Sequence, residues 1–337
     1  MSYQQLKTKS ALAAKTATRA ILGNTLCYLP YIGVVPKPSR KNGISVMIRT
    51  RNEEEWIELS LLSIKDFADE IVVVDASTDR TPEIVENTAS KYDLNLKLIS
   101  YNPIYPDTFS LRAVDYINQS NIALKNTTFR WVLRWDGDFV ARTSGEFSIT
   151  RLREKILNLN PNVYYTIYPP VVHLECDLFH QREGKLNIEG RLTTYSNDLN
   201  YVKRGYAIDL YYPYYYKPVY RFIAKKEYYI FHLNTVKNAM KLLFRRFYTG
   251  WRELNDYNKF PRLEDYVMYR IKKEWGMDNF EEAARYYVNE ILCKSLVPYD
   301  KNQFGDYPEL LKKELENPRY KVIYKDGEII GRNDTLR

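Results

Sequence analysis

Apolar and polar positions fall into alternating blocks of two periods along the first half of the chain. Ile44-Ser45-Val46-Met47-Ile48 predicts a short strand. Glu53 to Phe67 places Trp56, Leu59, Leu62 and Ile64 on or near one helical face. Glu70 to Asp75 is a continuous apolar run, as in a strand of a parallel sheet covered on both sides. Thr81-Pro82-Glu83 opens a second helix, with proline near its first turn and an acid beside it. Leu96 to Ile99 predicts a third strand, Leu111 to Leu124 a third helix and Phe129 to Trp135 a fourth strand. This alternation predicts an α/β fold whose mixed, mostly parallel sheet is flanked by helices.

From Val163 the texture changes. Tyr164 to Leu174 and Tyr220 to His232 read as further strands, joined by polar, tyrosine-rich connections. Val236 to Leu254 carries Val236, Ala239, Met240, Leu243, Phe244, Phe247, Trp251 and Leu254 on one face, with Lys237, Lys241, Arg245 and Arg252 elsewhere. That basic amphipathic helix would pack on the core or dock on an anionic membrane. The tail over 262–316 reads as helical and charged. Three segments are expected: a basic N-terminal extension over 1–42, a central domain over 43–235, and a helical C-terminal extension over 236–337. In the first, Tyr3, Leu6, Ala13, Ala17 and Ala20 recur at roughly helical spacing, and Pro36 to Gly43 reads as a linker.

With 337 residues, 45% apolar and 27% charged, the chain can bury a sizeable core, and wholesale disorder is excluded. Its 31 tyrosines, dense in Tyr211-Tyr212-Pro213-Tyr214-Tyr215-Tyr216, suit half-buried surfaces or a sugar-stacking groove. A net charge of +8 favours anionic ligands or surfaces, but no nucleic-acid-binding motif accompanies it, so no nucleic-acid partner is expected. Cys27, Cys176 and Cys293 are odd in number and far apart, which supports neither a zinc site nor a disulfide framework and fits a reducing compartment. The early apolar stretch is broken by Lys15 and Arg19, and Leu26 to Val35 contains Pro30 and is too short to span a bilayer. A cytoplasmic protein, peripheral at most on a membrane, is expected.

Candidate chemistry collects where the strands end. Asp136-Gly137-Asp138 closes the fourth strand, and two hard oxygen ligands there suit a divalent ion that also holds phosphate oxygens. Alone, such a pair is as compatible with a surface turn. Asp75 closes a buried strand, where a carboxylate needs donors from a ligand or from the local backbone. Arg49-Thr50-Arg51-Asn52-Glu53-Glu54 follows the first strand and opens a helix, a place that suits an anion or an ordinary cap at Asn52.

Taken in order, Ile44-Ser-Val-Met-Ile-Arg-Thr-Arg-Asn-Glu-Glu, Glu70-Ile-Val-Val-Val-Asp-Ala-Ser-Thr-Asp-Arg-Thr, Asn121-Ile-Ala-Leu and Trp131-Val-Leu-Arg-Trp-Asp-Gly-Asp resemble family 2 glycosyltransferases of the GT-A fold over about residues 44–140. The resemblance implies a nucleotide-sugar half over 43–140 and an acceptor half over 141–235. It implies a metal-dependent, inverting transfer of sugar to a glycan, lipid-linked or other hydroxyl acceptor. Thr50, Asn52 and Glu53 would lie around base and ribose, Asp75 would bond the base, and Arg112 would reach the diphosphate. Asp136 and Asp138 would hold the diphosphate through Mn²⁺ or Mg²⁺, with His232 as a third ligand and a UDP-sugar favoured over a GDP-sugar. The chain departs from the family at Arg49, where many members have Pro, and at Ala76, where many have a second acid. An acceptor hydroxyl needs a general base. Asp177 and Glu175, following the expected strand at His173, are the first candidates, ahead of Asp198, Asp209, Glu264 and Asp265. A nucleotidyltransferase would want a glycine-rich, lysine-bearing first loop, and Arg49 to Glu54 has no glycine.

Overall fold

The computed structural model describes residues 17–105, 111–182, 192–204, 207–219, 229–254 and 259–334. The expected alternation is present. Strands β1 (Ile44–Thr50), β2 (Glu70–Asp75), β3 (Leu96–Ser100) and β4 (Trp131–Asp136) are separated by helices α1 (Ile57–Ile64), α2 (Thr81–Lys91) and α3 (Ala113–Lys125). After β4 come β5 (Phe139–Ala141), α4 (Ile149–Leu157), β6 (Tyr165–Ile167), β7 (Val171–His173), β8 (His180–Gln181), β9 (Leu192–Thr194), β10 (Asn200–Arg204), β11 (Ala207–Tyr211), β12 (Lys217–Val219) and β13 (Ile230–His232).

Among the described residues the main sheet has seven strands in the order β12-β6-β9-β4-β1-β2-β3. β1 pairs in parallel with β2 and β4, and β2 with β3, whereas β9 runs antiparallel to both β4 and β6. Side chains alternate across this sheet. Ile44, Val46 and Ile48 join Trp131, Leu133 and Trp135 beneath α1 and α4. Met47, Val72, Val74 and Val132 pack the opposite face with Ala123 and Leu124 of α3 and with Tyr164, Tyr212 and Tyr216. Burial on both faces explains why Ile71 to Val74 of β2 is an unbroken apolar run.

The single strand expected over Tyr164 to Leu174 is two. Pro169 and Pro170 supply no ladder donors and separate β6, in the main sheet, from β7, which pairs with β13 in a second sheet of order β5-β13-β7. The start of the strand expected from Tyr220 lies outside the described residues, as do the expected helical positions before Ala17; residues 17–26 are helical.

The C-terminal extension is not helical throughout. Helices α5 (Ala239–Leu254), α6 (Leu263–Trp275) and α7 (Phe280–Tyr286) are followed by the short strand β14 (Val297–Pro298) and then by a hairpin of β15 (Tyr320–Lys325) and β16 (Glu328–Asp334). Asp326 and Gly327 turn it with φ of 51° and 85°, the double positive value of a type I′ turn. The apolar face of α5 is covered: Leu243, Phe244, Phe247 and Trp251 pack with Leu263, Val267 and Ile271 of α6 and with Ala283 and Ala284 of α7. That burial overturns the membrane-docking alternative for this helix. No helix among the described residues is long and apolar enough to cross a membrane.

The cysteine expectation also needs correction. Cys176 and Cys293 form a disulfide with their Cα atoms 6.3 Å apart. Their separation of 117 residues hid the pairing, because the end of β7 is brought against the turns that continue α7. The grounds for expecting a reducing compartment go with it.

Candidate active site

Register brings three strand ends into line. Thr50 stands opposite Asp75, and Arg49 opposite Asp136. The Thr50 hydroxyl donates to Asp75 Oδ1 at 2.6 Å. The Ser77 hydroxyl donates to the same oxygen at 2.6 Å, and the Ser77 N–H to Oδ2 at 3.1 Å. Asp75, closing a buried strand, thus has the donors it requires. Asn52 adopts a φ of 58°, and its side-chain oxygen accepts from the Thr78 N–H at 2.8 Å, while its own N–H donates to Ser77 Oγ at 2.8 Å. The loops after β1 and β2 are therefore stitched together. Beside them a cavity of about 290 Å³ is lined by Arg51, Asp75, Ser77, Thr78, Leu98 and Tyr101 among others. It opens at the carboxyl ends of β2 and β3, where open α/β sheets bind ligands. Buried Gln119 of α3 braces the edge by donating to the Thr50 and Val74 carbonyls at 3.3 and 3.2 Å. Only its place on the inward face of α3 would have flagged it in the sequence.

The second centre forms around Asp138. Because β5 begins one residue later and pairs Phe139 with His232, the end of β13 lies beside Asp138. His232 Nε2 is 3.3 Å from Asp138 Oδ2, so the two residues are brought together. His232 also packs edge-on to Phe139 and against His173, at 4.7 and 5.0 Å between ring centres. What stands on Asp138 most closely is Lys237, whose Nζ is 2.7 Å from Oδ2. The same ammonium donates to both oxygens of Glu53, at 2.9 and 2.8 Å. Glu53 consequently points to the acid motif and not to the Asp75 cavity. One turn along, Lys241 pairs with Glu55 at 3.0 Å. Trp56 Nε1 donates to the Val236 carbonyl at 2.6 Å and ties the loop after β1 to the approach to α5.

Electrostatics follow this geometry. Burial disfavours the charged form of Asp138, yet Lys237 and His232 hold its pKa well below the usual carboxylate range. Burial opposes charge on Lys237 too, but Asp138 and Glu53 raise its pKa above the ordinary lysine value. For Glu53, burial and the nearby Asp138 charge outweigh Lys237, and the net shift is upward.

The remaining expected residues lie apart. Asp136 is half-buried and accepts from Arg134 Nη2 at 3.2 Å. Arg112 stands at the residue before α3, donates to the Pro261 carbonyl at 3.0 Å and lies 4.0 Å from the centre of the Tyr105 ring. Glu175 is buried and accepts from Thr235 Oγ1 at 2.6 Å. Asp177 is fully buried; its oxygens take the His180 imidazole at 2.6 Å, the Phe179 N–H at 2.8 Å and the Val322 N–H at 2.8 Å. Neither acid is exposed to an acceptor hydroxyl. The segment after β7 runs beneath the C-terminal hairpin, so the general-base role expected of them is not carried forward.

The acids do not suit a divalent ion. Among the described residues no three His, Cys, Asp or Glu side chains converge as a ligand set. Asp138 Oδ2 is held by both Lys237 and His232, and Asp136 is paired with Arg134.

Residues 45–167 match the family model described as Glycosyl transferase family 2. That segment, running from β1 through β6, is similar to family 2 glycosyltransferases, and its mostly parallel sheet is in keeping with a GT-A fold. His232 and Lys237 lie outside it. No curated protein matches the chain. Among solved structures, 4-diphosphocytidyl-2C-methyl-D-erythritol synthase from Anaerococcus prevotii is 14% identical, covers 45% of this chain and 70% of its own, and has a TM-score of 0.28. The inositol-1-phosphate CTP transferase from T. maritima is 7% identical over 46% of this chain and 72% of its own, with a TM-score of 0.30. Mouse xyloside xylosyltransferase 1 is 10% identical over 45% and 66%, with a TM-score of 0.24. At these scores the likenesses add nothing to what the sheet and the family match show.

Proposed function

We propose that the chain transfers a sugar from a nucleotide-sugar donor to a hydroxyl acceptor, a glycan or a lipid-linked saccharide, with inversion. One observation supports this: the family 2 match falls on the segment in which Thr50 stands opposite Asp75, Arg49 opposite Asp136, and Asp75 lines a cavity. In the proposed transfer the cavity takes base and ribose, with Asp75 bonding the base. The diphosphate lies toward Asp136. Sugar transfer leaves a nucleoside diphosphate, on which negative charge builds, so cationic side chains at that end lower the barrier. Arg134 stands beside Asp136, and Arg49 beside it in register. Because the acids do not suit a divalent ion, the balancing charge comes from the chain's own cations.

A thermal-shift panel of UDP-, GDP- and CMP-sugars, with and without Mn²⁺, tests the proposal. A ligand that binds only the native state raises the melting temperature. UDP-sugars are expected to stabilise most, and the stabilising donor should be hydrolysed slowly without acceptor. Stabilisation with no turnover under any acceptor would make the domain a binding module. No response to any nucleotide would refute the assignment.

A further inference from the structure

We propose that the Lys237 ammonium is the resident cation of the Asp138–Glu53 acid pair, standing where Asp136-Gly137-Asp138 would otherwise take a divalent ion, so that the protein works without a bound metal. The consequence for turnover rests on the transferase reading; the placement of the cation does not.

An ammonium has three N–H donors and no acceptor. Lys237 has three carboxylate oxygens in reach: Asp138 Oδ2 at 2.7 Å and the two Glu53 oxygens at 2.8 and 2.9 Å. Its donors are saturated. The group is also locked in place: the side chains of Lys237 and Asp138 are 8% and 5% exposed. A divalent ion on Asp138 Oδ2 would have to displace this buried ammonium from one of its two carboxylates and stand beside it as a second positive charge, which is unfavourable. The backbone on either side does not offer Lys237 an exit. The preceding Val236 carbonyl is bonded by Trp56, and Lys241, one turn on, is held by Glu55.

A cation bridging two carboxylates is the arrangement a hard divalent ion would itself seek. Lys237 satisfies it from within the chain. It offsets one of the two negative charges that Asp138 and Glu53 would present to an incoming diphosphate. Lys237 is therefore a positioning and charge-balancing residue, not one that contacts the reacting atoms. Arg245, which also faces Asp138, adds to the same balance, with its guanidinium fixed on the Asn234 carbonyl at 2.7 Å.

The test is a titration of the full-length protein with Mn²⁺, read by the loss of the free-ion electron paramagnetic resonance signal. Wild type and Lys237→Arg are expected to leave that signal intact. Lys237→Met, which leaves Asp138 Oδ2 and the two Glu53 oxygens without their cation, is expected to remove it stoichiometrically. Mn²⁺ uptake by wild type, with or without UDP, overturns the proposal. So does a folded Lys237→Met that takes up none. Should Lys237→Met not fold, the wild-type titration decides alone. UDP binding to metal-free wild type, followed by calorimetry, is a separate readout: its failure would count against the transferase reading and leave the ion result standing.

Discussion

Gly137 and Glu53 are in contact. A methyl group built on Gly137 would lie 3.2 Å from both Cβ and Cγ of Glu53 and 3.3 Å from Ile57 Cδ1. The glycine between the two aspartates is thus what lets Glu53 come close enough to share Lys237 with Asp138. Gly137→Ala should push Glu53 away by a few tenths of an ångström. The expected cost in stability is about 1–3 kcal/mol, the range for overpacking a filled site. Nucleotide affinity at the Asp75 end should hold while donor turnover falls. Melting curves, calorimetry and a donor-hydrolysis assay check the three parts separately.

Acid should undo the Asp138 ion pair. A carboxylate whose pKa is depressed by folding contributes stability above its ordinary value, and that contribution fades as pH falls through the lower, folded value. Glu53, with its raised pKa, works in the opposite sense and loses stability as pH rises through its folded value. Asp138→Asn should therefore cost about 3–5 kcal/mol near neutral pH, as for a broken buried pair, and should flatten the loss of stability below about pH 4. Glu53→Gln should cost less at neutral pH and leave the acid limb steep. Urea unfolding at stepped pH distinguishes the two. Equal costs and parallel pH profiles would contradict the assignment.

The sheet was legible because its signals are local. The apolar stretches of β1 and β2 follow from burial on both faces, and the acids that end β2 and β4 are strand punctuation that needs no knowledge of distant residues. Asp326-Gly327 is an equally local hairpin signal, masked by the charge of the tail around it. Lys237 was not legible. It sits off the apolar face of the following helix, where a lysine is ordinarily solvated, and its partners lie on loops far earlier in the chain. The same holds for Asp177, whose partners include the Val322 N–H, and for Cys176 with Cys293. Long-range polar pairing leaves no periodic trace in a sequence.

Asp75 is expected to matter twice over. It fastens the loop after β1 through Thr50 and Ser77, and it faces the cavity. Asp75→Ala should weaken nucleotide binding by about 1–3 kcal/mol, the scale for a hydrogen bond to a charged group. Calorimetry giving the wild-type affinity would remove Asp75 from the donor site.

Phe247 decides what α5 is for. It is buried between Trp275, 5.5 Å away between ring centres, and the Arg270 guanidinium at 5.2 Å. Phe247→Ala should destabilise the protein by about 3–5 kcal/mol, as for other buried phenylalanines. Wild type should not reach anionic vesicles through this face. A Phe247→Ala variant with an unchanged melting temperature and lost vesicle binding would reverse the assignment.

The Cys176–Cys293 bond makes one covalent ring of everything from the end of β7 through α7. A single peptide cleavage anywhere inside that ring cannot release a fragment. Nicked protein should migrate as one band on a denaturing gel without reductant and as two once reductant is added. The polypeptide would survive a break in its own backbone as a single molecule, with Glu175 and Asp177 still tethered to the far side of the cut.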